Sequence, residues 1–230
     1  MIRGYLKSSY IDYPGNISSV LFYGGCNFRC PFCHNRDIVS RQNCESIKLN
    51  EILSDLDKRK DFIDGVVITG GEPCMCQELE SHISKIKDMG LRVKLDTNGS
   101  KPEVLKIILS KNDLDYIAMD IKGEYLRYNE IVDINIDTEL IDNSIDLIKY
   151  SGVSHEFRTT IIKEFHNYES LKKICRRLGK GEKLVLQQYQ YSDKQIKDIK
   201  YDTYSGEELN DFKLKLQDEF GLEIETRYRY

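Results

Sequence analysis

Short runs of apolar residues alternate along the chain with segments in which apolar residues recur every three or four positions. The runs predict strands at 17–23, 65–69, 91–96, 116–121, 155–162 and 184–189. The periodic segments predict helices, one capped by Asn50 and one ended by Gly90, with others at 104–109, 140–150, 171–178 and 209–220. Consecutive apolar residues such as Val66, Val67 and Ile68 indicate strands that are buried on both faces, as in a parallel sheet.

The repetition of strand and helix, about six times over, predicts a run of βα units and therefore an α/β fold. Either an open doubly wound sheet or a barrel, complete or partial, satisfies this pattern. In both architectures functional residues lie at the carboxyl ends of the strands. We expect a single domain over 1–230, with its core at about 15–190. The remainder, 191–230, is expected to hold a helix and a possible edge strand at 222–230.

Composition narrows the possible classes of protein. The 230 residues are 40% hydrophobic and 31% charged, which is typical of a folded globular chain. The formal net charge of −4 argues against nucleic acid as a partner, and no apolar run approaches the length of a membrane span. The first residues lack the apolar stretch of a secretory signal, so we expect a cytoplasmic protein. There, clustered cysteines are more often metal ligands or catalytic thiols than disulfides.

Three of the seven cysteines cluster in the loop after the first predicted strand, at Cys26, Cys30 and Cys33. Taken from residue types alone, the loop permits four sites. A redox CxxC pair or a CxxCH haem attachment leaves Cys26 without a role. A structural zinc site would add His34, although that residue directly adjoins Cys33. An iron–sulfur cluster on three thiolates would leave one iron open for chemistry.

The CxxxCxxC spacing in this position resembles that of the radical S-adenosylmethionine (radical SAM) superfamily. The resemblance implies a partial (β/α)6 TIM-like barrel and a [4Fe–4S] cluster on Cys26, Cys30 and Cys33, with S-adenosylmethionine bound to the open iron. The turn after the second predicted strand, Gly70-Gly71-Glu72, resembles the family's GGE motif. That motif is implied to receive the amino group of the ligand. Glycines there let the backbone approach closely.

Further site residues follow from the same resemblance. Asp96 and Asn98, together with Asp120 and Lys122, end the third and fourth predicted strands and resemble the activases of glycyl radical enzymes. The alternatives are turn chemistry for Asp96 and a surface position for Lys122. In pyruvate formate-lyase activase-like proteins the corresponding aspartates lie near a monovalent cation, which is therefore a possible third cofactor. Three further residues are candidates with open alternatives: Phe32 near the adenine or as a loop anchor, and Arg158 and Gln187 in the site or at the edge of the core.

The stretch from Ser9 to Gly15, followed by 22–35, most resembles the longer form of anaerobic ribonucleoside-triphosphate reductase activating proteins. The resemblance covers about 1–190. It implies an oxidoreductase that reductively cleaves S-adenosylmethionine and forms a glycyl radical on a partner enzyme. The expected partner is that reductase, and the expected electron donor is a flavodoxin or ferredoxin. One alternative is a radical SAM enzyme that acts on a small molecule or peptide, such as a deazaguanine synthase. The other is a non-catalytic iron–sulfur or zinc module. Cys44, Cys74, Cys76 and Cys175 show no cluster spacing and are expected to be inert.

Overall fold

In the computed structural model, which describes residues 1–40 and 45–228, one sheet runs through the whole molecule. Its strands are β1 (Ile2–Ser9), β2 (Ser18–Tyr23), β3 (Gly65–Gly70), β4 (Arg92–Thr97), β5 (Tyr116–Asp120), β6 (Ser154–Ile161), β7 (Lys183–Gln188) and β8 (Glu223–Arg227). The helices are α1 (Arg36–Ser40), α2 (Leu49–Asp57), α3 (Leu79–Lys87), α4 (Pro102–Ser110), α5 (Tyr125–Val132), α6 (Glu139–Lys149), α7 (Tyr168–Leu178) and α8 (Gly206–Phe220).

The order of the strands in the sheet decides between the two predicted architectures. Neighbours follow chain order from β1 to β8, with β1 antiparallel to β2 and every later pair parallel. A doubly wound sheet would reverse its strand order at a switch point, and this sheet does not. Among the described residues β8 does not pair with β1, so the barrel stays unclosed. The predicted partial (β/α)6 TIM-like barrel is therefore confirmed, with β8 as the added edge strand.

Alternate residues of the buried strands serve two different cores. Side chains such as Leu21, Ile68 and Leu95 face outward and pack in one large cluster with the apolar faces of the helices. A small inner cluster forms around Tyr13, Val20 and Val67. Because Tyr13 comes from the loop between β1 and β2, that loop fills part of the barrel interior.

Four local features differ from the sequence-based expectation, and one of them is the short helix α1, which was not predicted. Strand β1 was not predicted, because its exposed residues 6–8 hide the alternation typical of a strand. Helix α5 was not predicted either, although Tyr128, Ile131 and Val132 form a buried stripe with helical spacing. The predicted cap at Asn50 was wrong: α2 begins two residues earlier than that cap implies, after Lys48, which makes no side-chain cap. No described helix combines the length and the apolar character that crossing a bilayer requires.

Candidate active site

The cysteine loop leaves β2 and turns across the carboxyl end of the sheet. A turn in which Cys33 N donates to Cys30 O at 3.0 Å brings these two residues together. Cys30 is buried, and Cys26 and Cys33 are partly exposed. The ring of Phe32 packs against those of Phe165 and Tyr201, with ring centres 6.3 and 6.5 Å away. Phe32 therefore anchors the loop, while it also lines the cavity described below.

The segment after β7, residues 189–197, forms a strap that holds the cysteine loop from the other side. Backbone N–H groups of Ile196 and Lys197 donate to the carbonyls of Cys33 and Pro31 at 3.1 and 2.9 Å. His34 adds a hydrogen bond of 2.7 Å between its Nε2 and the carbonyl of Gln190. These contacts hold the loop in place, and no sequence motif predicts them.

The three thiols lie in surroundings that stabilise their neutral form. Burial raises the pKa of Cys26 and of Cys30 to about 12, and it raises that of Cys33 as well. The positive charge of Lys122 acts in the opposite direction on all three. Two N–H groups also point at the sulfur of Cys26, from Phe28 N at 3.4 Å and Asn98 Nδ2 at 3.7 Å. The charge of Lys122 and these N–H donors partly offset the burial and would stabilise a thiolate at Cys26.

Gly70 and Gly71 are required by the close approach of two chain segments. A Cβ atom on Gly71 would lie 2.0 Å from the carbonyl oxygen of Gly25, and one on Gly70 would lie 2.4 Å from Tyr23 N. The backbones are hydrogen bonded here, since Gly71 N donates to Tyr23 O at 2.7 Å and Glu72 N donates to Gly25 O at 2.8 Å. The glycine pair therefore joins the end of β3 to the start of the cysteine loop.

Asp96 and Asp120 belong to a buried cluster of opposite charges. Arg158 bridges them, with Nε 2.8 Å from Asp120 Oδ1 and Nη1 3.3 Å from Asp96 Oδ2. Lys122 Nζ lies 3.0 Å from Asp120 Oδ2. Burial alone would raise the pKa of both carboxyls, but the positive charge of Arg158 and of the neighbouring lysines outweighs it and lowers both. The cluster is ionised and presents guanidinium and ammonium groups beside the cysteine loop.

One cavity of about 840 Å³ unites these features at the carboxyl ends of the strands. Its volume lies within the range of about 300–1,000 Å³ typical of small-molecule sites. Every predicted site residue except Glu72 lines it: Cys26, Cys30, Phe32, Cys33, Gly70, Gly71, Asp96, Asn98, Asp120, Lys122, Arg158 and Gln187. Ile11 and Tyr228, from the two ends of the sheet, line it as well, so the cavity reaches the unclosed side of the barrel.

The profile of the Radical SAM superfamily matches residues 20–178, which include the cysteine loop and β2 to β6. The chain belongs to the radical SAM superfamily. A protein of Methanocaldococcus jannaschii, provisionally named as a glycyl-radical enzyme activating enzyme, is 34% identical over 84% of this chain and 81% of its own. A pyruvate formate-lyase-activating enzyme of Clostridium pasteurianum is 33% identical over 53% of this chain and 54% of its own.

The radical SAM fold is also found in solved structures. The crystal structure of Streptococcus suis SuiB bound to S-adenosylmethionine superimposes with a TM-score of 0.68, at 15% identity, over 90% of this chain and 51% of that one. At this identity the likeness concerns the fold alone. Membership of the superfamily implies a [4Fe–4S] cluster and S-adenosylmethionine as cofactors.

Glu72, the last residue of the radical SAM GGE motif, has its carboxylate turned into the protein. Its side chain is 1% exposed. It accepts hydrogen bonds from Cys74 N at 3.0 Å, Thr97 Oγ1 at 2.9 Å and Asn98 N at 2.7 Å. Burial raises the pKa of Glu72, and these donors oppose that shift. The carboxylate thereby fixes the end of β4, which carries Asp96 and Asn98.

Several residues that line the cavity belong to no recognised sequence motif. Thr160 and Gln188 end β6 and β7, where the rule that strand ends carry function would have found them. Tyr189 and Gln190 follow them into the strap. Lys94, which is 2% exposed, lies below the cavity on β4 and pairs with Asp96. A lysine inside a strand carries no sequence signal of this kind.

Among the described residues, the other cysteines do not line the cavity. Cys74 and Cys175 are buried and Cys76 is partly exposed, whereas Cys44 lies outside the described residues. In the part of the chain that the structure describes, no three Cys, His, Asp or Glu side chains are spaced to hold a single metal ion.

Proposed function

We propose that this protein is a glycyl-radical enzyme activase that holds a [4Fe–4S] cluster on Cys26, Cys30 and Cys33 and binds S-adenosylmethionine in the adjoining cavity. The observation that carries the proposal is the convergence of the three thiols, the glycine pair and the Asp96–Arg158–Asp120 cluster on one cavity. When bound, the cluster would supply one electron for the cleavage of S-adenosylmethionine into methionine and a 5′-deoxyadenosyl group, which would take a hydrogen atom from a glycine of the partner and leave as 5′-deoxyadenosine.

The residues of the cavity match the charges of the ligand. The guanidinium of Arg158 and the ammonium of Lys122 are positioned to bind a carboxylate, such as that of the methionine moiety. Acceptors for its amino group are available from the backbone beside Gly70 and Gly71. Asn98 would act on the cluster side by donating to the Cys26 sulfur, because N–H groups at cluster sulfurs tune the reduction potential.

The unclosed side of the barrel suits a macromolecular substrate. The cavity extends between Ile11 and Tyr228, at opposite edges of the sheet, so an extended loop of another protein would have access from the side. Tyr10 and Ile11, exposed to 76% and 89%, offer apolar contacts at this opening. The names of the M. jannaschii and C. pasteurianum relatives support a glycyl radical enzyme as the partner.

We further propose that the partner is an anaerobic ribonucleotide reductase, reduced by way of a flavodoxin or ferredoxin. The segment around Tyr13 that resembles the reductase activators forms the inner core of the barrel next to the opening. Residues His34 and Asn35 hold the cysteine loop, with Asn35 Nδ2 donating to Gly70 O at 3.0 Å. The features that resemble the reductase activators therefore surround the cluster loop and the side opening.

The test combines anaerobically reconstituted protein, a reduced flavodoxin, S-adenosylmethionine and an anaerobic ribonucleotide reductase. We expect a glycyl doublet in the electron paramagnetic resonance spectrum and equimolar 5′-deoxyadenosine, both lost when the reductase glycine is replaced by alanine. Cys30→Ala should abolish the brown chromophore and the cleavage. Cys175→Ala, a buried cysteine outside the cavity, is the matched control and should retain both. Cleavage without a radical on any glycyl radical enzyme would favour a small-molecule or peptide substrate instead.

A further inference from the structure

All four carboxylate oxygens of Asp96 and Asp120 already have a cationic partner within the chain. Asp96 Oδ1 lies 2.5 Å from Lys94 Nζ, and Asp96 Oδ2 lies 3.3 Å from Arg158 Nη1. Asp120 Oδ1 lies 2.8 Å from Arg158 Nε, and its Oδ2 lies 3.0 Å from Lys122 Nζ. These oxygens are the ones that the resemblance to pyruvate formate-lyase activases would assign to a monovalent cation.

Lys94 occupies the position of a fixed countercharge. It lies on β4 two residues before Asp96, and its side chain is 2% exposed. Its ammonium is 6.0 Å from the centre of the Tyr116 ring, whose face attracts positive charge. A lysine this deeply buried stays in a folded protein only where a carboxylate balances it. Asp96 is the carboxylate that does so.

The balance of charges disfavours one more cation. Lys94, Lys122 and Arg158 contribute three positive charges against the two negative charges of Asp96 and Asp120. The cluster therefore carries a net charge of +1, which attracts an anion and repels a cation. The carboxylate group of S-adenosylmethionine would offset this positive charge locally, whereas a sodium or potassium ion would add to it.

We propose that the Lys94 ammonium takes the place of a monovalent cation, so that this chain binds S-adenosylmethionine without one. The proposal rests on the proposed function, since it concerns the same cavity. Lys94 is a positioning residue: it acts by holding the Asp96 carboxylate against Arg158. The residues at this site do not fit the bound monovalent cation that the resemblance implies.

The test measures the affinity of the reconstituted protein for S-adenosylmethionine by calorimetry, in choline, sodium and potassium chloride at equal ionic strength. We expect the wild-type dissociation constants to agree within about twofold. Lys94→Ala should bind at least about tenfold more weakly in choline chloride, since Asp96 loses its partner. Potassium chloride should restore part of that loss by filling the vacated space. Lys94→Met, which leaves no such space, should be weakened equally in all three salts.

Lys87→Ala is the matched control, because Lys87 pairs with Asp115 at 2.7 Å in a partly exposed position outside the cavity. Its affinity should match the wild type in every salt. Tighter wild-type binding in sodium or potassium than in choline, by about tenfold or more, would overturn the proposal even if the variants fail to fold. Unchanged affinity in folded Lys94→Ala would overturn it as well. If S-adenosylmethionine does not bind in any salt, the proposed function itself fails.

The wild-type melting temperature of the ligand-free protein gives a second readout. A bound ion stabilises the folded state by mass action, so a required cation would raise this temperature with its concentration. We expect equal melting temperatures in the three salts. A selective rise in sodium or potassium chloride, absent in choline chloride, would contradict the assignment of Lys94.

Discussion

The carboxylate of Glu72 is used for hydrogen bonds within the protein, although the residue belongs to the Gly70-Gly71-Glu72 motif. Its two oxygens accept from two backbone N–H groups and one hydroxyl, all on the segments that follow β3 and end β4. A carboxylate this deeply buried is stabilised because both of its oxygens accept hydrogen bonds from these donors. The geometry of Asp96 and Asn98 therefore depends on a side chain that does not line the cavity.

Replacing Glu72 by glutamine should destabilise the protein by about 1–3 kcal/mol, because one amide NH2 group must then face a donor. We expect weaker binding of S-adenosylmethionine as a consequence of the shifted β4 end. Denaturant unfolding and ligand titration measure the two effects. Glu80→Gln, which removes an exposed ion pair with Lys111, is the control and should change stability by well under about 1 kcal/mol. Equal stability of Glu72→Gln and wild type would refute the role of Glu72 as a clamp.

At the residue scale the sequence predicts what lies at strand ends and misses what lies inside the barrel. Cys26, Gly70 and Asp120 are found because motif and strand end coincide. Lys94 and Glu156 are not, because a charged residue in a strand is normally assigned to solvent. Only the folded structure shows that both are buried, at 2% and 0% exposure. The direction of the Glu72 carboxylate has no sequence signal either.

At the scale of elements, the contact between the turn after β3 and the cysteine loop sets the geometry of the site. A methyl group at Gly71 would lie 2.0 Å from Gly25 O, and backbone atoms on both sides would have to move. Gly71→Ala should therefore lower the iron content after reconstitution and reduce stability by about 1–3 kcal/mol. Iron assay and the visible spectrum measure the first effect.

The control for Gly71→Ala is Gly206→Ala, at the first residue of α8, where the nearest atom would be 3.5 Å away. Alanine is the better helix former, so this variant should be as stable as the wild type or slightly more stable. Full iron loading of Gly71→Ala would show that the cysteine loop still holds iron when it lies farther from the turn after β3.

Strand β8 is held to the barrel by a buried ion pair. Glu156 on β6 is 0% exposed, and Arg227 on β8 donates to both its oxygens at 2.8 and 2.6 Å. Arg227→Met should lower the free energy of unfolding by about 3 kcal/mol, because the carboxylate stays buried without its positively charged partner and keeps only the hydrogen bond from Tyr116. Adding Glu156→Gln should recover part of the loss. Lys215→Met, which breaks an exposed pair with Asp211, should change little.

Elements with strong periodicity were predictable, and weak ones were not. The six parallel strands β2 to β7 and the helices α3, α4, α6, α7 and α8 match their predicted positions within a few residues. Strand β1 escapes detection because it pairs on one side only and leaves residues 6–8 exposed. Helix α5 has only eight residues, so its buried stripe is short. It directly follows the Asp120–Lys122 segment, which was interpreted as part of the site.

At the scale of the whole molecule, a polar interior is built into a parallel barrel. The lower part is filled by Tyr13, Val20 and Val67, and the upper part by ionised groups around Arg158. Its unclosed side leaves the upper part accessible beside Ile11 and Tyr228. A closed barrel would fill this space with side chains, so access for a ligand depends on the missing closure.

Acid should destabilise the whole molecule in two stages, and the first depends on His166. This histidine is 0% exposed, and burial lowers its pKa to about 4. Its Nδ1 accepts from Ile162 N at 3.2 Å and its Nε2 lies 2.9 Å from the carbonyl of Lys122, so the neutral ring satisfies both partners. The unfolded chain takes up a proton near pH 6.5, whereas the folded chain does so only near pH 4. Stability from His166 is therefore complete above about pH 6.5 and is lost as the pH falls to about 4, by up to about 3 kcal/mol.

Urea unfolding between pH 8 and pH 3 measures both stages. His166→Gln, whose amide can donate to the same carbonyl, should flatten the fall between about pH 6.5 and 4. His82→Gln is the comparison, because burial lowers the pKa of His82 as well but leaves it partly accessible. Below about pH 4 both variants and the wild type should lose stability together, because the carboxyl groups of Asp96 and Asp120, whose pKa values are lowered in the folded protein, become protonated. A wild-type profile that is flat from pH 6.5 to 4 would mean that His166 is protonated in the folded protein, and that the carbonyl of Lys122 is held in another way.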